Sequence, residues 1–292
     1  MTESTQILQY KSCVLSILFL LLFMAAFSTQ AANPPSLTDN QTSYSFGVVP
    51  QQSAKRLATL WGPLLSYLSD KTGLKLQFKT AKNIPTFEKR LANGEYDFAY
   101  MNPYHFIVFN SNPGYKALAV RKNQAISGIV VARKGDNIKT LKMLDNKTLA
   151  FPSPAAFAAS ILPQAELNNK KINFSPKYVS SHDSVYLAVA KGLIPAGGGV
   201  KRTLNNTSAK VREQLEIIWT SKKHTPHAFA AHPRVDGTTQ KIIQNALTSM
   251  HQDEEGKKIL ASLKIKNGLI SAEDKDWDDI RALNINLINK AK

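Results

Sequence analysis

YSFGVVPQQSAKRLATLWGPLLSYLSDKTGLKLQF, residues 44–78, decides the fold class. Tyr44 to Val49 is a short apolar run rich in β-formers, and Pro50 ends it. Leu57, Leu60, Trp61, Leu64, Leu65 and Leu68 then recur at intervals of three and four, the spacing of one helix face. Pro63 is expected to kink or restart that helix, because proline donates no backbone hydrogen bond, and Gly73 is the expected stop. Leu74 to Phe78 is apolar and extended again. Strand, helix and strand in this order form a βαβ unit, the element of an α/β fold with mainly parallel strands.

The same alternation continues on either side, with no repeat or low-complexity tract. Ile84 to Ala92 reads as a helix with Pro85 in its first turn, and Tyr96 to Met101 as a strand ending at Asn102-Pro103. A helix or turn through Phe106 to Phe109 leads to two strands, Lys116 to Arg121 and Gly128 to Arg133. The chain is expected to cross to a second lobe just after this pair. There follow a strand at Thr148 to Phe151, a helix over Ala155 to Asn168, a strand near Tyr178, a helix from His182 to Ala190, and strands at Gly197 to Val200 and Leu215 to Thr220. Thr225 to His232 is the expected return, and helices over Thr238 to His251, Glu254 to Leu263 and Asp276 to Ile288 would pack back on the first lobe. The expected division is residues 43–132 with 229–292, and 133–228, joined by a two-strand hinge.

Residues 1–32 read as a cleaved secretory signal peptide. Lys11 precedes an apolar run from Val14 to Phe27, shorter than the roughly 20 residues a spanning helix needs, and Thr29-Gln30-Ala31 has small residues at the cleavage positions. Retention of this segment as an anchor is the alternative; either way the rest of the chain is expected outside the cytoplasm, in the periplasm. The only cysteine, Cys13, leaves with the signal, so disulfides, thiol nucleophiles and thiolate metal sites are excluded from the mature chain. The net charge of +16 is unaffected by cleavage, since the segment holds one lysine and one glutamate. Export argues against a nucleic-acid partner and leaves a tilt toward anionic solutes.

Open α/β sheets bind ligands beyond the carboxyl ends of their strands. Three loops take that position. Gln51 and Gln52 offer amides after the first strand, where Ser53 either donates to a solute or caps the helix. Tyr100, Asn102, Tyr104 and His105 put two phenols, an amide and an imidazole into six residues; the alternative is tyrosines in the core and His105 in solvent. Ser153, Ala156 and Phe157 begin a helix whose free N–H groups suit an anion, with Phe157 either at the mouth of the site or in the core. His182 and Asp183 start the next helix, where Asp183 serves the helix dipole or reaches a ligand. Gly197-Gly198-Gly199 permits close approach of backbone, so it is a candidate floor for the site.

Catalytic constellations are not evident. His224, His227 and His232 match no zinc spacing, Ser153 lacks a nucleophile-elbow glycine pattern, and Asp253-Glu254-Glu255 and Asp278-Asp279 read as solvated helix faces. No metal and no cofactor is expected, and the chain is read as a non-enzyme.

FGVV at 46–49, W-x-P-L-x-x-Y-L from Trp61 to Leu68, DFAYMNPYHF at 97–106, Pro163, and SHDSV at 181–185 followed by AVAKG together resemble the phosphonate-, phosphite- and phosphate-type periplasmic binding proteins of ABC transporters. The likeness runs in order along nearly the whole mature chain. It implies a type II periplasmic binding protein fold that closes on a small, anionic ligand and delivers it, as a monomer, to an inner-membrane permease. A sensor of the same fold reporting to a membrane partner such as a histidine kinase is the alternative. In the family a Ser-Thr-Ser cluster grips the phosphonate oxygens, and an aspartate pairs with the amine of an aminophosphonate. Here Ala156-Phe157-Ala158 and about Pro195 stand in those places, while Asp183 keeps the position of another acidic contact. The resemblance therefore implies the scaffold without its aminophosphonate specificity.

Overall fold

The computed structural model describes residues 43–285. The expected signal segment, Cys13 and the end of the last expected helix lie outside them. Among the described residues no helix is long and apolar enough to cross a membrane.

β1 (Ser43–Val48), α1 (Ala54–Thr72) and β2 (Lys75–Lys79) form the βαβ unit, and β1 and β2 pair in parallel. Ser53 Oγ caps α1 by accepting the Arg56 N–H, and Gly73 ends it in the left-handed region at φ 70°. Leu57, Trp61, Leu64, Leu65 and Leu68 are its buried face, joined by Tyr67. The helix runs through Pro63 without being restarted. The proline lies on the exposed side with Thr59, so the carbonyl it fails to engage is hydrated at little cost.

The chain continues through α2 (Ile84–Ala92), β3 (Phe98–Met101), α3 (Pro103–Ser111) and β4 (Lys116–Arg121), then β5 (Gly128–Arg133) and β6 (Lys147–Phe151). A π-helical turn, Phe157–Ile161, leads into α4 (Leu162–Asn169). Next come β7 (Phe174–Tyr178), α5 (His182–Ala190), β8 (Ala196–Val200), α6 (Lys201–Asn205), α7 (Ala209–Arg212), β9 (Leu215–Thr220) and β10 (Ala228–Ala231). α8 (Gly237–Ser249), α9 (Glu254–Ser262), β11 (Leu269–Ser271) and α10 (Asp278–Arg281) complete it.

Two sheets result, in the orders β11-β4-β10-β3-β1-β2 and β7-β6-β8-β5-β9. Both are mixed rather than mainly parallel. β10 and β5, the first strands after each passage between sheets, run antiparallel to their neighbours. The first sheet draws β1 to β4 from the start of the described chain and β10 and β11 from its end. Trp277 ties the C-terminal part down, its Nε1 donating to Pro226 O at 2.8 Å and its ring lying 4.4 Å from Phe106.

The first passage falls between Arg121 and Gly128, ahead of the expected place, because β5 pairs with β8 and β9. The return falls between Thr220 and Ala228. The two connecting segments pair with each other through reciprocal hydrogen bonds between Ile126 and His224, at 2.8 and 2.9 Å.

The helix expected over Ala155 to Asn168 is divided. Ser160 and Ile161 N–H groups both donate to Ala156 O, at 2.7 and 3.3 Å, which opens a π turn before α4. Pro163 has no N–H for Ala159 O four residues earlier. That carbonyl instead lies against β8, where a Cβ on Gly198 would sit 1.9 Å from it. The glycine run is therefore where the π turn packs on the sheet and not an open floor for a ligand. Val185 and Tyr186 cover its other face.

Candidate functional site

The carboxyl ends of the parallel strands from both sheets meet at one seam. Gln51 follows β1, Asn102 follows β3, Ala156 and Phe157 follow β6, and His182 opens the helix after β7. His227 joins them because β10 runs antiparallel, so its beginning lies at this end. These six side chains line a cavity of about 10 Å³, the space of a single water-sized guest. Ile126, Val200 and His227 form its boundary with a second chamber of about 220 Å³, whose charged lining is Arg121, Lys201 and Arg202. Neither lining contains a carboxylate.

Hydrogen bonds cross the seam. Asn102 Oδ1 accepts the His105 N–H at 2.8 Å and so caps α3, while its Nδ2 donates to Ala155 O at 3.1 Å. His182 N–H donates to Gln51 O at 3.1 Å, and Arg202 donates through Nη2 to Gln51 Oε1. Gln51 Nε2 lies 3.1 Å from His227 Nε2, and the His227 ring stacks on Tyr100 at 4.9 Å. Asn102→Ala removes both a cap and a cross-seam bond; the expected loss is about 1–2 kcal/mol of unfolding free energy, measured by urea denaturation.

Electrostatics at the seam follow from burial. Desolvation, with the Arg202 charge adding to it, lowers the His182 pKa to about 3. Desolvation likewise carries His227 well below the usual histidine range, helped by Arg202 and Arg121. Arg202 itself is lowered to about 10, mainly by desolvation, and stays charged at neutral pH. The seam at neutral pH thus holds neutral imidazoles and cationic guanidiniums.

The other expected residues lie elsewhere. Tyr100 is one layer behind the cavity, 4.5 Å from the Trp61 ring, with its hydroxyl accepting from Arg121 Nη2 at 2.7 Å. Tyr104 is buried in the first sheet's core. His105 is buried and not solvated; its Nε2 lies 3.0 Å from Glu88 Oε1, beneath α2 and α3. A helix turns about 100° per residue, so the cap position Asn102 faces the seam while the residues that follow rotate away. Ser153 is buried, and its hydroxyl has no hydrogen-bond partner among the described residues. Phe157 is buried as well as lining the cavity, edge-on to His224 at 5.5 Å. Asp183 leaves the seam for an open groove of about 600 Å³ with Lys55, Arg56 and Thr207. There burial raises its pKa, opposed by Gln52 and Arg56. Gln52 is buried beside it. The three histidines considered for a metal go separate ways: His224 approaches Asp279, His227 lines the cavity and His232 packs on Tyr115.

Sequence reasoning missed Arg121 and Arg202 as site residues and gave His227 no binding role. The strand-end rule applied to β8 finds Arg202, two residues past Val200.

Residues 46–277 match the family of ABC transporter phosphonate periplasmic substrate-binding proteins. The chain belongs to that family. Its members are binding components of import systems, which pass a small ligand to a membrane permease, and are not enzymes. The chain is 23% identical to the phosphate-import protein PhnD of Mycolicibacterium smegmatis, covering 81% of this chain and 83% of that protein. Among solved structures, a binding component of a Pseudomonas aeruginosa phosphonate ABC transporter superposes with a TM-score of 0.77 at 17% identity, covering 84% of this chain and 86% of the other. PhnD1 of Prochlorococcus marinus, in complex with methylphosphonate, gives 0.75 at 19% identity, covering 84% and 99%. The fold is that of the type II periplasmic binding proteins.

Proposed function

We propose that this chain captures a small oxyanion in a cleft between its two sheets and presents it to an inner-membrane ABC permease. Each sheet is the centre of one lobe, and the paired segments at Ile126 and His224 are the hinge. Family membership supports the uptake role rather than a sensory one. The observation that carries the ligand class is Arg202, a cation at the seam with no ion pair to a carboxylate among the described residues, whose guanidinium donates to the neutral amide of Gln51. An anion supplies what that group lacks. Its charge is met by guanidinium, in place of the hydroxyl cluster the family resemblance implies. Binding is the whole task, without turnover.

The test is thermal denaturation against phosphate, phosphite, methylphosphonate, 2-aminoethylphosphonate and small carboxylates. A bound anion at 100 times its dissociation constant is expected to add about 2.7 kcal/mol. 2-Aminoethylphosphonate is expected to give the weakest response of the phosphonates, since its ammonium would enter a seam lined by cations. No shift with any of these anions overturns the proposal.

A further inference from the structure

We infer that Arg121 and Arg202 form a two-sided clamp for a dianionic phosphonate or phosphate-monoester head, and that the chamber beside them takes an apolar substituent on that head. The inference rests on the oxyanion reading above and specifies the ligand.

Arg121 ends β4 in the first sheet, and Arg202 follows β8 in the second. Both line the 220 Å³ chamber. Like charges are thus brought into one pocket from opposite sides of the seam, and the Arg121 charge is among the causes that, after desolvation, lower the Arg202 pKa. Neither has an ion pair among the described residues. Each is oriented by a neutral acceptor: Tyr100 Oη for Arg121, Gln51 Oε1 for Arg202. The Arg121 Nε–H is buried and has no hydrogen-bond partner. Tyr100 and Gln51 are joined through His227, which stacks on the first and touches the second. The two forks are therefore held by one connected set of side chains.

Both guanidiniums are partly buried; a partly buried cation without a counterion is costly, and two together more so. A single head with two negative charges offsets both, and guanidinium forks suit the planar pairs of oxygens on a phosphonate or phosphate. Because the clamp has one jaw on each sheet, the head also ties the lobes together. Ile126, Ile129, Val200 and Pro226 supply the apolar part of the chamber wall, broken by the hydroxyls of Ser127 and Thr220, so the substituent meets a largely apolar surface next to the connecting segments. An ammonium there would meet no carboxylate and would have Arg121, Lys201 and Arg202 nearby.

Titration calorimetry at fixed ionic strength tests this with phenylphosphonate, phenyl phosphate, methylphosphonate and benzenesulfonate, on the full chain and on the variants Arg121→Gln, Arg202→Gln and Arg202→Lys. Phenylphosphonate is expected to bind at least about 10-fold more tightly than methylphosphonate from burial of the ring. Benzenesulfonate, with the same ring and one charge, is expected to bind at least about 10-fold more weakly than phenylphosphonate. Phenyl phosphate against phenylphosphonate distinguishes a monoester from a phosphonate as the preferred head. Each Arg→Gln variant is expected to weaken phenylphosphonate by about 10- to 100-fold, and Arg202→Lys, which keeps charge but loses the fork, by about 10-fold. Ligand-free Arg202→Gln is expected to melt no lower than the parent, because a like-charge contact is removed; a merely structural arginine would lower it. Variants that bind as the parent does, or a ring that adds no affinity, overturn the clamp while leaving oxyanion uptake standing, provided the parent binds one of the anions. Failure of the parent to bind any of them removes both.

Discussion

Gly198→Val is expected to cost more than about 4 kcal/mol of unfolding free energy, enough to abolish the folded state of a marginally stable chain. β8 is the middle strand of the second sheet, between β6 and β5, so it has no free edge to move toward. A Cβ at position 198 would fall 1.9 Å from Ala159 O and 2.8 Å from the Phe151 ring. The first of these is backbone in the π turn, and the turn is seated also on the neighbouring strand β5 at Gly128, where a Cβ would meet Ala158 O at 2.1 Å. Relief requires lifting the turn off both strands, which opens the second core and the seam together. Gly62→Ala is the control. It lies inside α1 with nothing within 4 Å of its added Cβ, and the exchange is expected to stabilise by about 0.5–1 kcal/mol through helix propensity. Urea unfolding followed by circular dichroism measures both; a Gly198→Val protein within about 1 kcal/mol of the parent would show that the turn is not seated as described.

The π turn links this stability argument to binding. Pro163 withholds the N–H that a regular helix would give to Ala159 O, and the freed carbonyl is covered by the glycine strand instead of water. The residues at the seam, Ala156 to Ala159, are thereby set by packing on β8 and not by helix propensity. π turns recur at functional sites for such reasons of side-chain placement.

Local signals carried much of the fold. The face of α1, the stop at Gly73 and the cap at Ser53 follow from short-range chemistry and are present; the caps at Asn83, Asn102 and Ser181 are of the same local kind but were not read from the sequence. Sheet membership of β5 was not legible, because it depends on pairing with strands 60 and more residues away and nothing in GIVVAR encodes the partner. The strand-end rule brought Gln51, Asn102, Ala156, Phe157 and His182 to one cavity, as their neighbours in sequence end parallel strands. It misplaced Tyr104 and His105, where closeness in sequence stood in for closeness on one helix face. His227, which precedes the antiparallel β10, escapes the rule altogether, whereas Arg121 ends β4, a strand that runs in the same direction as β1 and β3, and the rule applied there finds it. Charge gave no help, since either arginine is one of 37 basic residues and only the missing carboxylate partner marks it.

Acidification is expected to destabilise the ligand-free protein steeply between about pH 6.5 and pH 3, starting well above the range where carboxylates titrate. His182 and His227 are buried and neutral, facing Arg202, Arg121, Thr203 and Gln51. In the unfolded chain both revert to a pKa of about 6.5. Below that value the unfolded state takes up protons that the folded state refuses, so stability is complete above about pH 6.5 and is lost as pH falls toward the folded pKa, about 3 for His182. Each histidine contributes a slope of about 1.4 kcal/mol per pH unit in that window, which for two sums to roughly 4 kcal/mol between pH 7 and pH 5. The carboxylates of Asp97, Asp253 and Asp274, held below their ordinary range, act in the same direction but only under about pH 4. Urea denaturation at pH 7, 6 and 5 reads the slope, and His227→Gln, which keeps a polar group beside Gln51, is expected to halve it. A parent protein whose stability is flat to pH 5 would mean that the imidazoles are hydrated in the folded state and the seam stands open; a bound dianion, which closes the seam and offsets the arginines that oppose protonation, is expected to make the slope shallower by raising the folded pKa of both histidines.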